Sequence, residues 1–133
     1  MKYILDTNIC IYIIKKKPIQ VFDKFKDLPL GSVGISSITL AELAFGAKKS
    51  AQSEKNQIAL NQFLIPLDIV EFDTNAAIEY GKIRAELERV GTPIGPLDML
   101  IASHVKSLEL TIVTNNEKEF KRVSGLKVEN WTR

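Results

Sequence analysis

The chain has 133 residues, of which 45% are hydrophobic and 26% charged, a composition that suits one globular domain with one core. Its formal net charge of +2 is too small to indicate nucleic-acid binding by itself, so such a contact would need a local basic patch. One cysteine excludes an internal disulfide, and one cysteine with one histidine supplies too few nitrogen and sulfur ligands for a zinc site. The apolar run over residues 9–14 is too short for a signal core or a membrane span. We therefore expect residues 1–133 to form one domain of a soluble, unprocessed cytoplasmic protein.

Short apolar strands alternate with amphipathic helices along the chain. In chain order, the hydrophobic spacing predicts strand 2–5, helices 9–15 and 21–28, strand 33–35, helices 37–49 and 54–64, strand 67–72, helices 75–90 and 97–108, strand 111–113, a short helix with Phe120 and Val123, and strand 127–129. This alternation predicts an α/β fold with a mainly parallel central sheet and helices on both faces. Ligands of such sheets bind beyond the carboxyl ends of the strands, where we expect Asp6 and residues 114–116.

Three acidic residues lie where a lone charge has no evident structural use. Asp6 ends the first strand, Glu42 interrupts an apolar helical stripe that includes Phe45, and Asp98 begins the 97–108 helix. Charged side chains are rarely buried unless they are paired or bind a metal, and three carboxylates brought together repel one another without a cation. A hard divalent ion with oxygen ligands meets this need, so the acids indicate metal-assisted hydrolysis, most simply of a phosphodiester.

Each of these acids also has a purely structural interpretation. Asp6 can cap the following helix, as we expect Asp73 to do in the second copy of the tripeptide Asp-Thr-Asn. Glu42 can lie at the edge of its stripe and pair with Lys48 or with the next lysine along the helix. Asp98 can be a first-turn acid that the helix dipole favours. The presence of three such acids in one small domain favours the metal site.

A fourth oxygen ligand can come from the segment that follows the fourth strand. Asn116 and Glu119 are the candidates, although Asn116 can simply cap the short helix, and Glu117 and Glu119 can be solvated first-turn acids. We expect Glu119 to act on the metal through water and Glu117 to face solvent. Thr7, Thr114 and Asn116 are predicted to orient water or the carboxylates.

We expect structural rather than functional roles for His104 and Trp131, although both residue types often occur in functional sites. His104 lies six residues after Asp98 and off its helical face, so we expect a packing or surface role rather than catalysis. Trp131 is expected to anchor the C-terminal tail rather than to stack on a base.

The motifs, in this order and spacing, resemble those of PIN-domain ribonucleases, and most closely those of the VapC toxins of bacterial type II toxin–antitoxin modules. The matching segments are Asp6-Thr7-Asn8, Ala41-Glu42-Leu43, residues 96–102, residues 113–116 and Glu119-Phe120. The resemblance covers essentially the whole chain, including residues 128–131.

This resemblance implies a PIN-like fold, a homodimer and a catalytic site with Mg²⁺ or Mn²⁺. Asp6, Glu42 and Asp98 occupy the family's first three acidic positions. The fourth departs from the pattern, because this chain has Asn116 where many members have Asp, and Glu119 is the alternative acid. The resemblance thus implies a metal-dependent endoribonuclease, with metal ligands Asp6, Glu42 and Asp98 and a further catalytic role for Glu119.

The resemblance also implies partners. A VapB-type antitoxin would lay a helix along an apolar groove and insert a basic side chain near the carboxylates, and operator DNA would be contacted only through that antitoxin. The chain most resembles enterobacterial-type members, which are similar to nucleases that cut tRNA, including initiator tRNA, in the anticodon loop. The expected substrate is therefore tRNA, and the expected outcome is a block of translation until the antitoxin neutralises the toxin.

Two alternatives to this metal-dependent ribonuclease remain open from the sequence. The acids of a binding module would serve only as caps and ion pairs, and such a protein would show no metal dependence. A DNA-directed nuclease of the same fold would usually carry added arches or insertions, for which 133 residues leave little room.

Overall fold

The computed structural model describes residues 1–133. Its elements, in chain order, are β1 (Tyr3–Leu5), α1 (Thr7–Lys15), α2 (Ile19–Lys26), β2 (Val33–Ser36), α3 (Ser37–Lys49), α4 (Ser53–Leu64), β3 (Asp68–Val70), α5 (Thr74–Val90), α6 (Pro96–Leu108), β4 (Thr111–Val113), α7 (Glu117–Phe120) and β5 (Lys127–Glu129). The order of elements predicted from hydrophobic spacing is confirmed. The third strand is shorter than predicted, and Val123 lies beyond the end of α7. None of the helices combines the length and apolar character needed to cross a membrane.

The strands form one five-stranded sheet in the order β3-β2-β1-β4-β5, and every pairing is parallel. From β1 the chain moves outward through β2 to β3, and it then returns to the other side of β1 to form β4 and β5. Leu5 pairs with Val113, so the central strands β1 and β4 end at the same level. These two strands flank the topological switch point, which is where open parallel sheets bind ligands.

Helices cover both faces of the sheet, as predicted. Tyr3 and Leu5 of β1 pack with residues of α1 to α4, whereas Ile4 packs with residues of α5, α6 and α7. This division follows from the alternation of side chains along a strand. Because both faces are buried, β1 is apolar at every position rather than at every second one.

Two helical faces differ from the sequence prediction. The stripe that includes Glu42 and Phe45 was expected to face the core, but the buried residues of α3 are Thr39, Leu43 and Ala47, and Phe45 is 64% exposed. Leu97 of α6, expected in the core, is 45% exposed. Helix α3 carries apolar residues on nearly every side, so spacing alone did not identify the buried one. Glu42 consequently lies beside the buried face of α3 and is only half-buried.

Trp131 anchors the C-terminal tail, as predicted. Its ring packs edge-to-face against Tyr3 with centroids 5.4 Å apart, and its indole N–H donates a hydrogen bond to Glu129 at 3.0 Å. The tail is therefore tied both to the core and to β5.

Candidate active site

Asp6 lies at the carboxyl end of β1, at the switch point of the sheet, and only 5% of it is exposed. Its Oδ1 accepts a hydrogen bond from the amide of Ile9 at 3.1 Å and thereby caps α1. Its Oδ2 accepts a short hydrogen bond from the hydroxyl of Thr114, the residue after β4. Burial raises the pKa of Asp6, and the bond from Thr114 opposes that rise. The interpretations of Asp6 as a cap and as a site residue are therefore compatible.

Asp73 is a plain cap, as predicted from the repeated tripeptide. Its Oδ1 accepts a hydrogen bond from the amide of Ala76 at 3.0 Å, at the start of α5. The residue is exposed, in contrast to the buried Asp6. The chain therefore contains two helix-capping aspartates with matched local geometry and different surroundings.

Glu42 is held at the same edge of the sheet by Thr7, the first residue of α1. The Thr7 hydroxyl donates a hydrogen bond to Glu42 Oε1 at 2.6 Å. The alternative pairing of Glu42 with a lysine of α3 is wrong, since Glu42 takes part in no ion pair and Lys49 instead lies over the ring of Phe45. The neighbouring residues Asp6 and Thr7 thus connect β1 and α1 to the acid on α3.

Asn116 connects the remaining two acids. Its side-chain amide donates a hydrogen bond to Glu119 Oε2 at 2.6 Å and lies 3.5 Å from Oδ2 of Asp98, in the first turn of α6. The alternative interpretation of Asn116, in which its side chain caps α7, is wrong, because that side chain makes no cap bond. Instead, the backbone amide of Asn116 donates to the Thr114 hydroxyl at 2.9 Å. The loop after β4 therefore contacts Asp6, Asp98 and Glu119.

The four acids share one electrostatic environment. Burial, a hydrogen bond with Glu119 and the negative charges of Asp6, Glu119 and Glu42 together raise the pKa of Asp98 to about 6. Every one of these influences favours the neutral carboxyl group. A positive charge placed among the four side chains would reverse this effect, so the electrostatics of the site favour a cation.

The donor atoms determine which cation fits. All of the clustered side chains offer oxygen, which suits a hard ion such as Mg²⁺ or Mn²⁺ rather than zinc. No three histidine, cysteine, aspartate or glutamate side chains stand close enough together to enclose an ion.

The prediction that Glu117 faces solvent is wrong. It accepts a hydrogen bond from Asn130 at 3.0 Å and pairs with Arg133 and with Lys121, which leaves its side chain only 14% exposed. The bond from Asn130 and the two positive charges lower the pKa of Glu117. Two of the three partners belong to the folded-back tail, whose position has no local signature in the sequence. Glu117 therefore anchors the tail, while Glu119 turns towards the other acids.

Two further contacts near the site were not anticipated. The phenol oxygen of Tyr12 accepts a hydrogen bond from Asn115 at 2.9 Å across 103 residues of chain. His104, expected in a packing role, is buried with Nδ1 2.8 Å from the Ser36 hydroxyl across 68 residues. Neither pairing has a signal in sequence spacing, because both depend on how distant elements pack.

Comparison with known proteins gives the family. The PIN domain model matches residues 3–126. The chain is 48% identical over 132 residues to the tRNA(fMet)-specific endonuclease VapC of Shigella flexneri, and the match covers 99% of each chain. It is 47% identical over 132 residues to Ribonuclease VapC2 of Rickettsia felis, which covers 98% of both.

Solved structures agree with this assignment. DNA-bound VapBC from Salmonella typhimurium matches with a TM-score of 0.93 and 47% identity over 98% of each chain. VapBC2 from Rickettsia felis bound to a DNA fragment from their promoter matches with a TM-score of 0.92 and 46% identity, covering 98% of this chain and 99% of that one. As the motifs predicted, the chain belongs to the PIN-domain family and, within it, to the VapC group.

Proposed function

We propose that this protein is a divalent-metal-dependent endoribonuclease toxin that hydrolyses RNA phosphodiester bonds. The observation that carries the proposal is the shared environment of Asp6, Glu42, Asp98 and Glu119, in which three negative charges help to raise the pKa of the fourth acid to about 6. Clustered acids with perturbed pKa values at the switch point of a parallel sheet are typical of a functional site. The ribonuclease names of the VapC relatives support the same activity.

In this proposal Asp6, Glu42 and Asp98 hold Mg²⁺ or Mn²⁺, and Glu119 acts on it through water. When bound, such an ion supplies activation of a water molecule and neutralisation of charge on the scissile phosphate. The all-oxygen donor set and the mutual repulsion of the acids fit this ion.

The chain's own residues prepare the site. Thr114 holds one oxygen of Asp6 while the cap bond from Ile9 holds the other, so this carboxylate has a fixed orientation. Thr7 fixes Glu42 in the same way. Asn116 donates to Glu119 and lies beside Asp98, which keeps two like-charged groups near each other. These hydrogen bonds restrict the carboxylates before substrate arrives.

The proposed activity is tested with purified protein and a defined RNA. Wild type should cleave RNA with Mg²⁺ or Mn²⁺ and stop in EDTA, and Asp98→Asn should lose most turnover because it removes one charge at nearly constant shape. Asp73→Asn is the matched control, since Asn also caps helices and Asp73 lies outside the site. Full activity of wild type in EDTA, or of Asp98→Asn with metal, would exclude this mechanism.

We further propose tRNA, and specifically initiator tRNA cut in the anticodon loop, as the substrate. This step is supported by the names of the relatives from Shigella flexneri and Salmonella typhimurium, both tRNA(fMet)-specific endonucleases. Sequencing of RNA ends after exposure of total RNA to the protein would test it. New ends confined to that loop are expected, and equal cleavage of many RNAs would refute the specificity. Cleavage of DNA in preference to RNA would favour the DNA-directed alternative.

We propose a VapB-type antitoxin as the partner, bound in a groove beside the acids. The groove lies between α1, α3 and α4 and has a volume of about 300 Å³. Its apolar lining comprises Ile11, Ile14, Leu43, Ala47, Ala59 and Leu60, and Glu42 lies at its edge. An amphipathic helix suits such a groove, and the neighbouring carboxylates would attract a basic side chain from it. The VapBC complexes among the solved relatives support this choice of partner.

Two glycines provide a matched test of the groove. An added Cβ at Gly46, in the groove lining, or at Gly81, on α5, would meet no atom within 4 Å, so a side chain can begin at either position without a clash. We expect Gly46→Gln to raise the amount of a VapB-type antitoxin that is needed to stop RNA cleavage. Gly81→Gln should need the wild-type amount. Equal neutralisation of the two variants would place the antitoxin elsewhere.

Three expectations from the sequence complete the proposal: a cytoplasmic location, a homodimer, and residues 1–133 acting as one domain. Light scattering on the purified chain tests the expected homodimer. A monomeric mass at micromolar concentration would contradict it. Contact with operator DNA is expected only in the presence of antitoxin, which a gel-shift comparison with and without the antitoxin checks.

A further inference from the structure

A buried polar contact connects the two helices that carry Glu42 and Asp98. Ser36 ends β2 and caps α3, where its hydroxyl accepts a hydrogen bond from the Ile38 amide at 3.0 Å. The same hydroxyl lies 2.8 Å from Nδ1 of His104 on α6. Both residues are at most 1% exposed. The contact therefore joins the first turn of α3 to the middle of α6 without help from solvent.

The surroundings of His104 keep its ring neutral. Its Nε2 is buried without a hydrogen-bond partner, and the ring packs edge-to-face on Phe72 with centroids 5.4 Å apart. Burial lowers the pKa of His104, and the carboxylate of Asp73 and the carbonyl of Glu71 oppose this only in part. Protonation would place a positive charge in this buried environment, which is costly. The ring therefore contacts Ser36 as a neutral hydrogen-bonding group.

The two acids lie at equal distances along the chain from this contact. Glu42 follows Ser36 by six residues, and Asp98 precedes His104 by six. Each acid is consequently about 9 Å along its helix from the contact, at 1.5 Å per residue. If this contact is lost, α3 can shift against α6, and such a shift changes the separation of the two carboxylates.

We propose that His104 is a positioning residue of the acidic site, which through Ser36 fixes α3 against α6 and so sets the separation of the Glu42 and Asp98 carboxylates. The inference rests on the proposed function, because it assigns His104 to that same site. His104 does not touch the reacting groups. It acts through the helix that carries Glu42, and its effect should therefore depend on Glu42 being present.

Four substitutions separate positioning from general stability. His104→Leu keeps much of the buried volume and removes the hydrogen bond, whereas His104→Asn keeps a polar group near the position of Nδ1. Ser36→Ala removes the partner of the bond. Val105→Ala is the control, because this neighbour on α6 is fully buried in the apolar core.

The variants are compared below the lowest unfolding midpoint, by kcat and KM on an RNA oligonucleotide and by Mn²⁺ titration. We expect His104→Leu to lower kcat and Mn²⁺ affinity about 10-fold or more, as loss of an outer support of a metal site does, with little change in KM. His104→Asn should recover most of this loss, and Val105→Ala should keep the wild-type kcat. In a Glu42→Gln background, the further effect of His104→Leu should largely vanish, since coupled residues are not additive.

Wild-type kcat and Mn²⁺ affinity in folded His104→Leu would overturn the proposal, and so would an equal loss in Val105→Ala. If His104→Leu does not fold, the other pair decides: retained turnover in His104→Asn with loss in Ser36→Ala supports the proposal, and any other pattern overturns it. Failure of the proposed function is distinguishable, because wild type itself would then cleave no RNA. The Mn²⁺ titrations of His104→Leu and Val105→Ala would still test the positioning role.

Discussion

At Asp98, burial and the charges of neighbouring acids act on the pKa in the same direction. Its pKa of about 6 in the folded, metal-free protein lies above the usual 3.8. A carboxyl group whose pKa is raised by folding stabilises the fold most below its unfolded pKa, and this contribution is lost as the pH rises through the folded value. At neutral pH the ionised Asp98 is therefore a cost to stability, which a bound cation would offset.

We expect this cost to appear in urea unfolding of the metal-free protein. Relative to wild type in EDTA, Asp98→Asn should gain stability as the pH is raised from 4 to 7, because Asn carries no charge to bury. The measurement is the difference in unfolding midpoint at the two pH values. A difference that shrinks as the pH rises would mean that Asp98 is not held among like charges.

Asp6 and Asp73 allow a comparison between two aspartates with the same capping bond. From the sequence, a helix cap was expected at Asp73 and was one of two interpretations of Asp6. The structure adds that Asp6 caps α1 much as Asp73 caps α5, so each substitution should remove a cap worth about 1 kcal/mol. For Asp6, relief of a buried, raised-pKa carboxyl group offsets part of this loss.

We therefore expect Asp73→Ala to lower the free energy of unfolding by about 1 kcal/mol, and Asp6→Ala to lower it by no more than that. RNA cleavage should disappear only in Asp6→Ala. Denaturant titration and a cleavage assay on both variants measure the two effects. Loss of cleavage in both, in samples that are fully folded, would remove the distinction between a cap and a site residue.

At the scale of elements, α7 is a four-residue helix whose two acids serve different parts of the molecule. Glu119 accepts a hydrogen bond from Asn116 beside the site, and Glu117 holds the tail through Asn130 and Arg133. Side chains two residues apart on a helix point in different directions. Glu117 and Glu119 therefore form a matched pair, and we expect their substitution to have different effects.

We expect Glu119→Gln to weaken Mn²⁺ affinity about 10- to 100-fold, as outer-shell changes do, and to leave the tail unaffected. Glu117→Gln should leave Mn²⁺ affinity unchanged and increase hydrogen exchange at the amide of Thr132, which bonds to the Asn130 side chain. Metal titration and amide exchange on both variants check this crossed pattern. Wild-type metal binding in Glu119→Gln would reduce the site to three carboxylates.

The tail contact of Glu117 also has a pH dependence. Its partners lower its pKa, so the stabilisation from this group is present above the unfolded pKa and is lost as the pH falls through the folded value. Acid should therefore loosen the tail through Glu117, whereas protonation of Asp98 over the same fall in pH favours the metal-free fold.

At the scale of the whole molecule, the net charge of +2 gives little long-range attraction for RNA. RNA binding should therefore depend on a small number of lysine and arginine contacts with phosphates. Each contact removed by substitution should lower the slope of log K against log salt by roughly 0.7 to 0.9. Binding measured with a catalytically inactive variant between 50 and 200 mM salt tests this prediction. A salt-independent binding constant would argue against phosphate contacts.

The sequence by itself determined the order of the elements and the parallel α/β class, and it identified the candidate acids. These features depend on local spacing: apolar periodicity identifies strands and helices, and a carboxylate directly after a strand, as at Asp6, must lie at the carboxyl edge of the sheet. Ordered motifs also carried the family resemblance, because each motif occupies a fixed place between elements.

Only the tertiary structure decided which side of α3 is buried, that β1 and β4 flank the switch point, and which partners Glu117, Asn116 and His104 find. In α3 the apolar residues surround the helix, so the choice of Leu43 and Ala47 over Phe45 depends on what packs against them. The contacts of His104 with Ser36 and of Glu117 with the tail join residues far apart in the chain. Such pairings follow from the packing of whole elements, a long-range balance of burial and charge that no local spacing encodes.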